Sequence, residues 1–133
     1  MTARGRRTPR QRRGEHAEDA VARWLTQRGH RVLDRNFRSR FGEIDLITLD
    51  GKTLVFVEVR YRAANARARG AETVTQPKQL RLARAAAAFM NSRRVHGDTT
   101  VRFDVVGVTG GETGYQFEII EGAFELDPES LHA

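Results

Sequence analysis

At 133 residues and 39% hydrophobic content, the chain has enough material for one ordinary domain with its own core, and too little for two. With no cysteine it can form neither disulfides nor thiolate metal sites, and its four histidines (His16, His30, His96, His132) lack metal-ligand spacing. No apolar run approaches the roughly 18 residues of a membrane span and no apolar signal core opens the chain, so a cytoplasmic protein without a membrane partner is expected.

The net charge is +6, and six arginines in residues 1–13 account for all of it, because 17 basic residues balance 17 acidic ones from residue 14 onward. Residues 1–13 are expected to be a disordered basic tail, either simply solvated or adding phosphate affinity that weakens with salt. The remainder is uneven. Residues 60–102 hold ten basic residues against Glu72 and Asp98, whereas residues 103–133 hold seven acids and no Lys or Arg. A positive face for a polyanion, separate from an acidic face or tail, is the expected result. Only Tyr61 and Phe89 interrupt the basic stretch as aromatics, which argues against base-stacking recognition of a single strand.

The first helix is expected over 15–28, because Ala17, Ala20, Val21, Trp24 and Leu25 fall on one face and Gly29 suits its C-cap. Trp24 is read as core. A short strand follows around Arg31–Phe37. Residues 42–50 and 52–60 then read as a β-hairpin closed by Asp50-Gly51. Its strands carry acids within apolar runs: Glu43 and Asp45 in the first, Glu58 in the second, followed by Arg60. With alternation every two residues, Glu43 and Asp45 share a face, as do Glu58 and Arg60. Carboxylates in a sheet are costly unless a cation or hydrogen-bond donors meet them. Three of them converging with a guanidinium is a way to hold a hard divalent cation against a phosphate.

Residues 61–75 read as a mobile loop rich in Ala, Arg and Gly. Pro77 then suits the first residue of a second helix running to about Arg93, with Leu82, Ala85 and Phe89 on its core side. Lys78 lies on that same side, in the turn where the helix dipole disfavours a cation. It therefore needs an anionic partner, for which the acidic hairpin is the nearest candidate, or it snorkels with its stem on the core. The chain has 21 Arg and only two Lys, so this lysine is an uncommon choice. Strands follow at 100–108 and 115–121, with Gly110, Gly111 and Gly114 marking the turn. Residues 14–126 form a single domain in this plan, and 127–133 a flexible tail. A three-stranded meander, a crossover helix and further strands give an α/β fold, with helices flanking a mixed sheet.

Asp45, twelve intervening residues and then Glu58-Val59-Arg60 resemble the D…(D/E)-x-K signature of the PD-(D/E)XK nuclease superfamily. Five ordered blocks extend the likeness. They are Gly14-x-x-Ala17-Glu18; Asn36-Phe37-Arg38-x-Arg40-Phe41-Gly42-Glu43-Ile44-Asp45; Val57-Glu58-Val59-Arg60; Ala71-x-x-Val74-Thr75-x-x-Lys78; and Val101-Arg102-Phe103-Asp104-Val105. Together, over residues 14–108, the chain resembles the YraN-like small bacterial proteins (uncharacterised protein family 0102), relatives of Holliday-junction resolvases.

The resemblance implies a restriction-endonuclease-like αβββαβ core and a metal-dependent endonuclease acting on DNA, with branched or structured DNA as a candidate substrate. It implies Asp45, Glu58, the Val59 carbonyl and Glu18 as ligands of magnesium or manganese, and Asp45, Glu58, Arg60 and Lys78 as the catalytic set. A homodimer follows by analogy only. Glu43 is read either as a neighbour or ligand of the metal or as a structural hydrogen-bonding group. Arg38, Arg40, Arg62, Arg67, Arg69 and Arg81 are expected to position a nucleic-acid backbone, and Asn36 to form hydrogen bonds. Asp104 is read either as a surface or edge acid or as a polar link to the site.

Arg60 departs from the superfamily's lysine. Arginine cannot give up its proton at accessible pH, but it binds phosphate bidentately. The alternative reading is therefore a nucleic-acid-binding module with the nuclease fold and weak or no cleavage. An interaction domain whose acids are merely solvated explains Lys78 least well.

Overall fold

Apolar residues recurring every three to four positions build two helices here, and apolar strands build the sheet between them. The structure, a computed structural model, describes residues 8–62, 74–111 and 114–125, without the side chains of 10–15. The elements run α1 (Pro9–Gln27), β1 (His30–Ser39), β2 (Gly42–Asp50), β3 (Thr53–Arg62), α2 (Gln76–Ser92), β4 (Val101–Gly111) and β5 (Gly114–Ile120). One sheet holds all five strands in the order β1-β2-β3-β4-β5. Only β3 and β4 are parallel. A parallel neighbour needs a crossover, and α2 supplies it. This is the expected α/β architecture with a mixed sheet.

Each helix covers one face. On α1, Ala17, Val21 and Leu25 are fully buried, at helical spacing. They pack with Leu46, Val55, Val57, Val106 and Val108. On α2, Leu82, Ala85, Ala86 and Phe89 pack with Ile44, Ile47, Leu54, Phe56, Phe103 and Val105. Phe89 meets Phe37 and Phe56 edge-on, at 5.3 and 5.9 Å. Burying each such Val, Leu, Ile or Phe side chain stabilises the fold by roughly 1.5–3 kcal/mol.

The expected boundaries shift in instructive ways. The first helix starts at Pro9 rather than 15, so residues 9–13, expected in a disordered tail, have helical backbone. Proline's preset φ suits that first position. Trp24 is half-buried at the core's edge, stacked on Phe117 at 4.9 Å. β3 continues to Arg62, two residues beyond expectation. Residues 63–73, which hold most of the expected mobile loop, lie outside the described residues, as do 1–7 and 126–133.

Asp104 resolves to a third role. It is buried and accepts from Arg102 Nε (2.8 Å) and Nη2 (2.9 Å) and from the Gly122 N–H (3.0 Å). Arg102 Nη2 also donates to Asp50 Oδ2 at 3.0 Å. This network ties β4 to the hairpin turn at the far end of β2 from Gly42. Asp104 is therefore neither a surface acid nor a link to the acidic site.

Candidate functional site

The β2–β3 hairpin is regular only at its turn end. The last paired rung is Leu46↔Val57. Beyond it the next β3 donor, the Val59 N–H, is taken by the side chain of Asp45, at 2.8 Å to Oδ2. A carboxylate thus stands where a backbone carbonyl would continue the ladder.

The side-chain alternation of β2 also breaks at Asp45. Ile44 packs in the core under α2, whereas Leu46, two residues on, packs in the core under α1. β1 changes face at the same level. Phe37 packs on the α2 side, and Arg35 pairs with Asp19 of α1. These residues flank Asn36, which lies opposite Asp45 between the rungs Arg35↔Leu46 and Phe37↔Ile44. Asn36 has φ +52, a conformation that asparagine tolerates better than most residues. Glu43 and Asp45 therefore do not share a face by simple alternation, as expected from spacing. Asp45 sits at the pivot.

A pocket of ≈ 210 Å³ opens at this pivot, lined by Gly42, Glu43, Asp45, Glu58, Lys78, Arg81 and Leu82. Three separate elements thus bring Asp45, Glu58 and Lys78 together. Lys78 Nζ lies 2.7 Å from Glu58 Oε1, so the inward lysine has the anionic partner its position required. Pro77 precedes Lys78 in the first turn of a helix that starts at Gln76, and no acid in that turn competes for the ammonium.

Glu18 reaches the same region from α1. The Asn36 amide nitrogen donates to Glu18 Oε1 at 2.9 Å and to Glu43 Oε1 at 3.0 Å, the orientation in which the amide does not set an oxygen against two acceptors. Four carboxylates, Glu18, Glu43, Asp45 and Glu58, therefore feel one another. Burial pushes the Asp45 carboxyl up to about 8. The Glu58 carboxylate adds to the shift, the Val59 N–H bond opposes it, and Glu18 and Glu43 add further. Glu18 is also raised, first by burial and then by Glu43, against the lowering effect of Arg35. A carboxyl held neutral into this range by burial and neighbouring acids is typical of sites that bind cations or move protons.

Among the described residues, no three Asp, Glu or His side chains are gathered closely enough to form a ready metal cage. Glu43, Asp45 and Glu58 are the carboxylates that share the pocket with the Lys78 ammonium, and Glu58 is the one paired with it. Val59, expected to offer its carbonyl, is seen offering its N–H to Asp45. Arg60 follows Glu58 by two residues on regular β3, so it lies on the same face, half-buried and paired in register with Gly107. It is not among the described residues lining the pocket.

The expected cationic surface is partly assembled. Arg81 lines the pocket, and Arg38 is 81% exposed with its Nε 3.8 Å from Glu43 Oε2. Arg40 stacks over Phe41 at the hairpin tip that leads into Gly42, 4.8 Å from the ring centroid. Arg62 is exposed at the end of β3. Arg67 and Arg69 lie outside the described residues. Asn36 is the residue whose importance the sequence understated. The available signal was an asparagine, a poor strand former, inside a strand pattern.

Residues 17–108 match the family model described as Uncharacterised protein family UPF0102. The chain is 46% identical over 112 residues to a UPF0102 protein of Methylococcus capsulatus, covering 84% of this chain and 89% of the relative. It is 42% identical over 125 residues to one of Anaeromyxobacter dehalogenans, covering 92% and 91%. A UPF0102 protein of Rhodococcus opacus is 43% identical over 112 residues, covering 84% and 94%.

Proposed function

The chain belongs to the uncharacterised protein family UPF0102, and on that premise we propose that it is a metal-dependent endonuclease hydrolysing phosphodiesters of DNA. The observation that carries this reading is the pocket where β2 and β3 part, with Asp45, Glu58 and Lys78 on its wall. The donor set fits magnesium or manganese. Magnesium takes one or two carboxylates and keeps the rest of its shell for water and phosphate, so Asp45 and Glu58 suffice without a closed cage. A dication would also offset the repulsion from Glu58 that adds to the effect of burial on the Asp45 carboxyl. No membrane partner is part of this reading, and among the described residues no helix is long and apolar enough to cross a membrane.

When bound, such an ion would supply an acidified water and a Lewis acid toward a nonbridging phosphate oxygen. Asp45 and Glu58 would hold it from two different strands of the sheet. Lys78 balances charge at Glu58 and can turn its ammonium to a phosphate oxygen. Arg60 would donate two hydrogen bonds to the charge that grows in the transition state, but cannot accept a proton. Glu18 would act through its bond to the Asn36 amide. Arg38, Arg40, Arg62 and Arg81 meet the phosphate backbone and not base edges, so recognition is by shape, with branched or structured DNA as the substrate class. Symmetric cutting of two strands would take two copies of the chain.

Two observations favour the second reading, a binding module that cuts poorly. The residue after Val59 is arginine, and the pocket's lysine is already paired with Glu58. A single panel separates the two. Linear, nicked, flap and four-way DNA are incubated with the protein and manganese, with Glu58→Gln as control. Metal-dependent cleavage lost in Glu58→Gln supports the nuclease. Tight binding of the same DNA without cleavage supports the module.

A further inference from the structure

We propose that Asn36 is a positioning residue of this pocket: its single amide nitrogen braces Glu18 of α1 to Glu43 of β2 and sets the shape of the acidic wall around Asp45. The inference rests on the metal-centre reading given above and names a residue that sets the affinity of that centre.

Three observations converge on Asn36. Its amide has two N–H groups, and two acceptors lie at hydrogen-bond distance, Glu18 Oε1 at 2.9 Å and Glu43 Oε1 at 3.0 Å. The two acids come from different elements, so the amide is a cross-brace and not a local turn contact. The backbone at Asn36 is left-handed, φ +52, in the middle of a strand. For most side chains that conformation is strained, and it persists only where the surroundings fix it. Finally, Asn36 stands opposite Asp45, at the level where β1 and β2 both change the face they present.

The chemistry of the brace matters as much as its place. A lysine or arginine here would also satisfy the two acids, but it would cancel part of their charge. The amide donates without adding charge. It holds two carboxylates near each other and near Asp45 while their collective demand for a cation is left intact. Partners that orient a site's acids in this way are worth about 10- to 100-fold in metal affinity when removed.

The test uses the full chain and manganese alone as the probe, followed by calorimetric titration and by the manganese-induced shift in unfolding temperature. Asn36→Gly retains the left-handed backbone and removes the amide. It should weaken manganese binding about 10-fold or more while the metal-free unfolding temperature changes little. In a Glu18→Gln/Glu43→Gln background the same substitution should add nothing further, a non-additivity that loss of strand stability alone would not produce. Asn36→Lys keeps the test decisive should glycine loosen the strand. It restores donors to both acids yet should still weaken manganese binding, because it supplies the charge. Wild-type manganese affinity in either folded variant, with binding still abolished by Asp45→Asn, would overturn the proposal and leave the metal centre standing. Absence of manganese binding by the wild-type protein would overturn both.

Discussion

Asn36 and Asp45 face each other across the β1–β2 pair, at the level where both strands exchange which helix their side chains meet. On one side of that level Phe37 and Ile44 pack under α2; on the other Arg35 and Leu46 look toward α1. Asp45 is thereby turned toward β3, where its carboxylate accepts the Val59 N–H. Its neighbours Glu43 and Glu58 then line one pocket with it.

The raised Asp45 pKa makes a signed prediction. Its folded value, about 8, lies above that of an unfolded carboxyl, so the folded state binds this proton more tightly. The contribution is fully present below the unfolded value and is lost as pH rises through about 8. Metal-free wild-type protein should therefore lose stability from this group between about pH 4 and pH 8. Asp45→Asn should lack that component and be more stable than wild type at pH 9, by about 1–2 kcal/mol. Urea unfolding at pH 5 and pH 9 measures it. Equal pH dependence in the two proteins would contradict the burial of an ionisable Asp45.

Lys78 competes with any cation for Glu58. Lys78→Gln should bind manganese about as well as wild type or several-fold better, while cleavage falls about 100-fold or more through loss of a charge acting on the phosphate. A calorimetric titration paired with single-turnover kinetics reads both. A joint fall in affinity and rate would mean that Lys78 shapes the metal site instead.

Arg60 is predicted to act through charge and hydrogen bonding. Arg60→Lys should keep cleavage within a few-fold of wild type, and Arg60→Gln should lower it about 100-fold. A large gain in the lysine variant, with a pH–rate profile newly showing a basic group, would show that proton abstraction had been missing at this position.

The Arg102 network is predicted to be structural. Arg102→Met removes the bidentate partner of buried Asp104, an uncompensated charge that costs about 3–5 kcal/mol. Denaturant midpoints should fall accordingly, with the manganese affinity of the folded fraction unchanged. A change in that affinity would tie the far end of the sheet to the pocket.

Much of the fold was legible because apolar spacing dominates it. Leu82, Ala85 and Phe89 announce the core side of α2, and Ala17, Val21 and Leu25 that of α1. The Lys78–Glu58 contact was legible too, since a cation in a helix's first turn facing a core needs an acid. The face assignment of Glu43 and Asp45 was not, because it depends on a break in alternation set jointly by two strands. A count of every second residue assumes an unbroken pleat. Asp104 was ambiguous for a related reason. Its partners Arg102, two positions away, and the Gly122 N–H become visible only when the chain has returned through β5. The bridging role of Asn36 depended on α1 crossing near the β1–β2 pair, which no local pattern encodes.

The bond from Val59 to Asp45 bears on how a null allele of this gene should be built. The carboxylate that would hold the ion also joins two strands just beyond their last paired rung, so alanine at 45 removes a joint of the framework together with the chemistry. A phenotype from that allele would mix shortage of folded protein with loss of activity. Asparagine retains an acceptor for the Val59 N–H, and Glu58→Gln leaves this joint untouched, so these two are the cleaner tools for genetics.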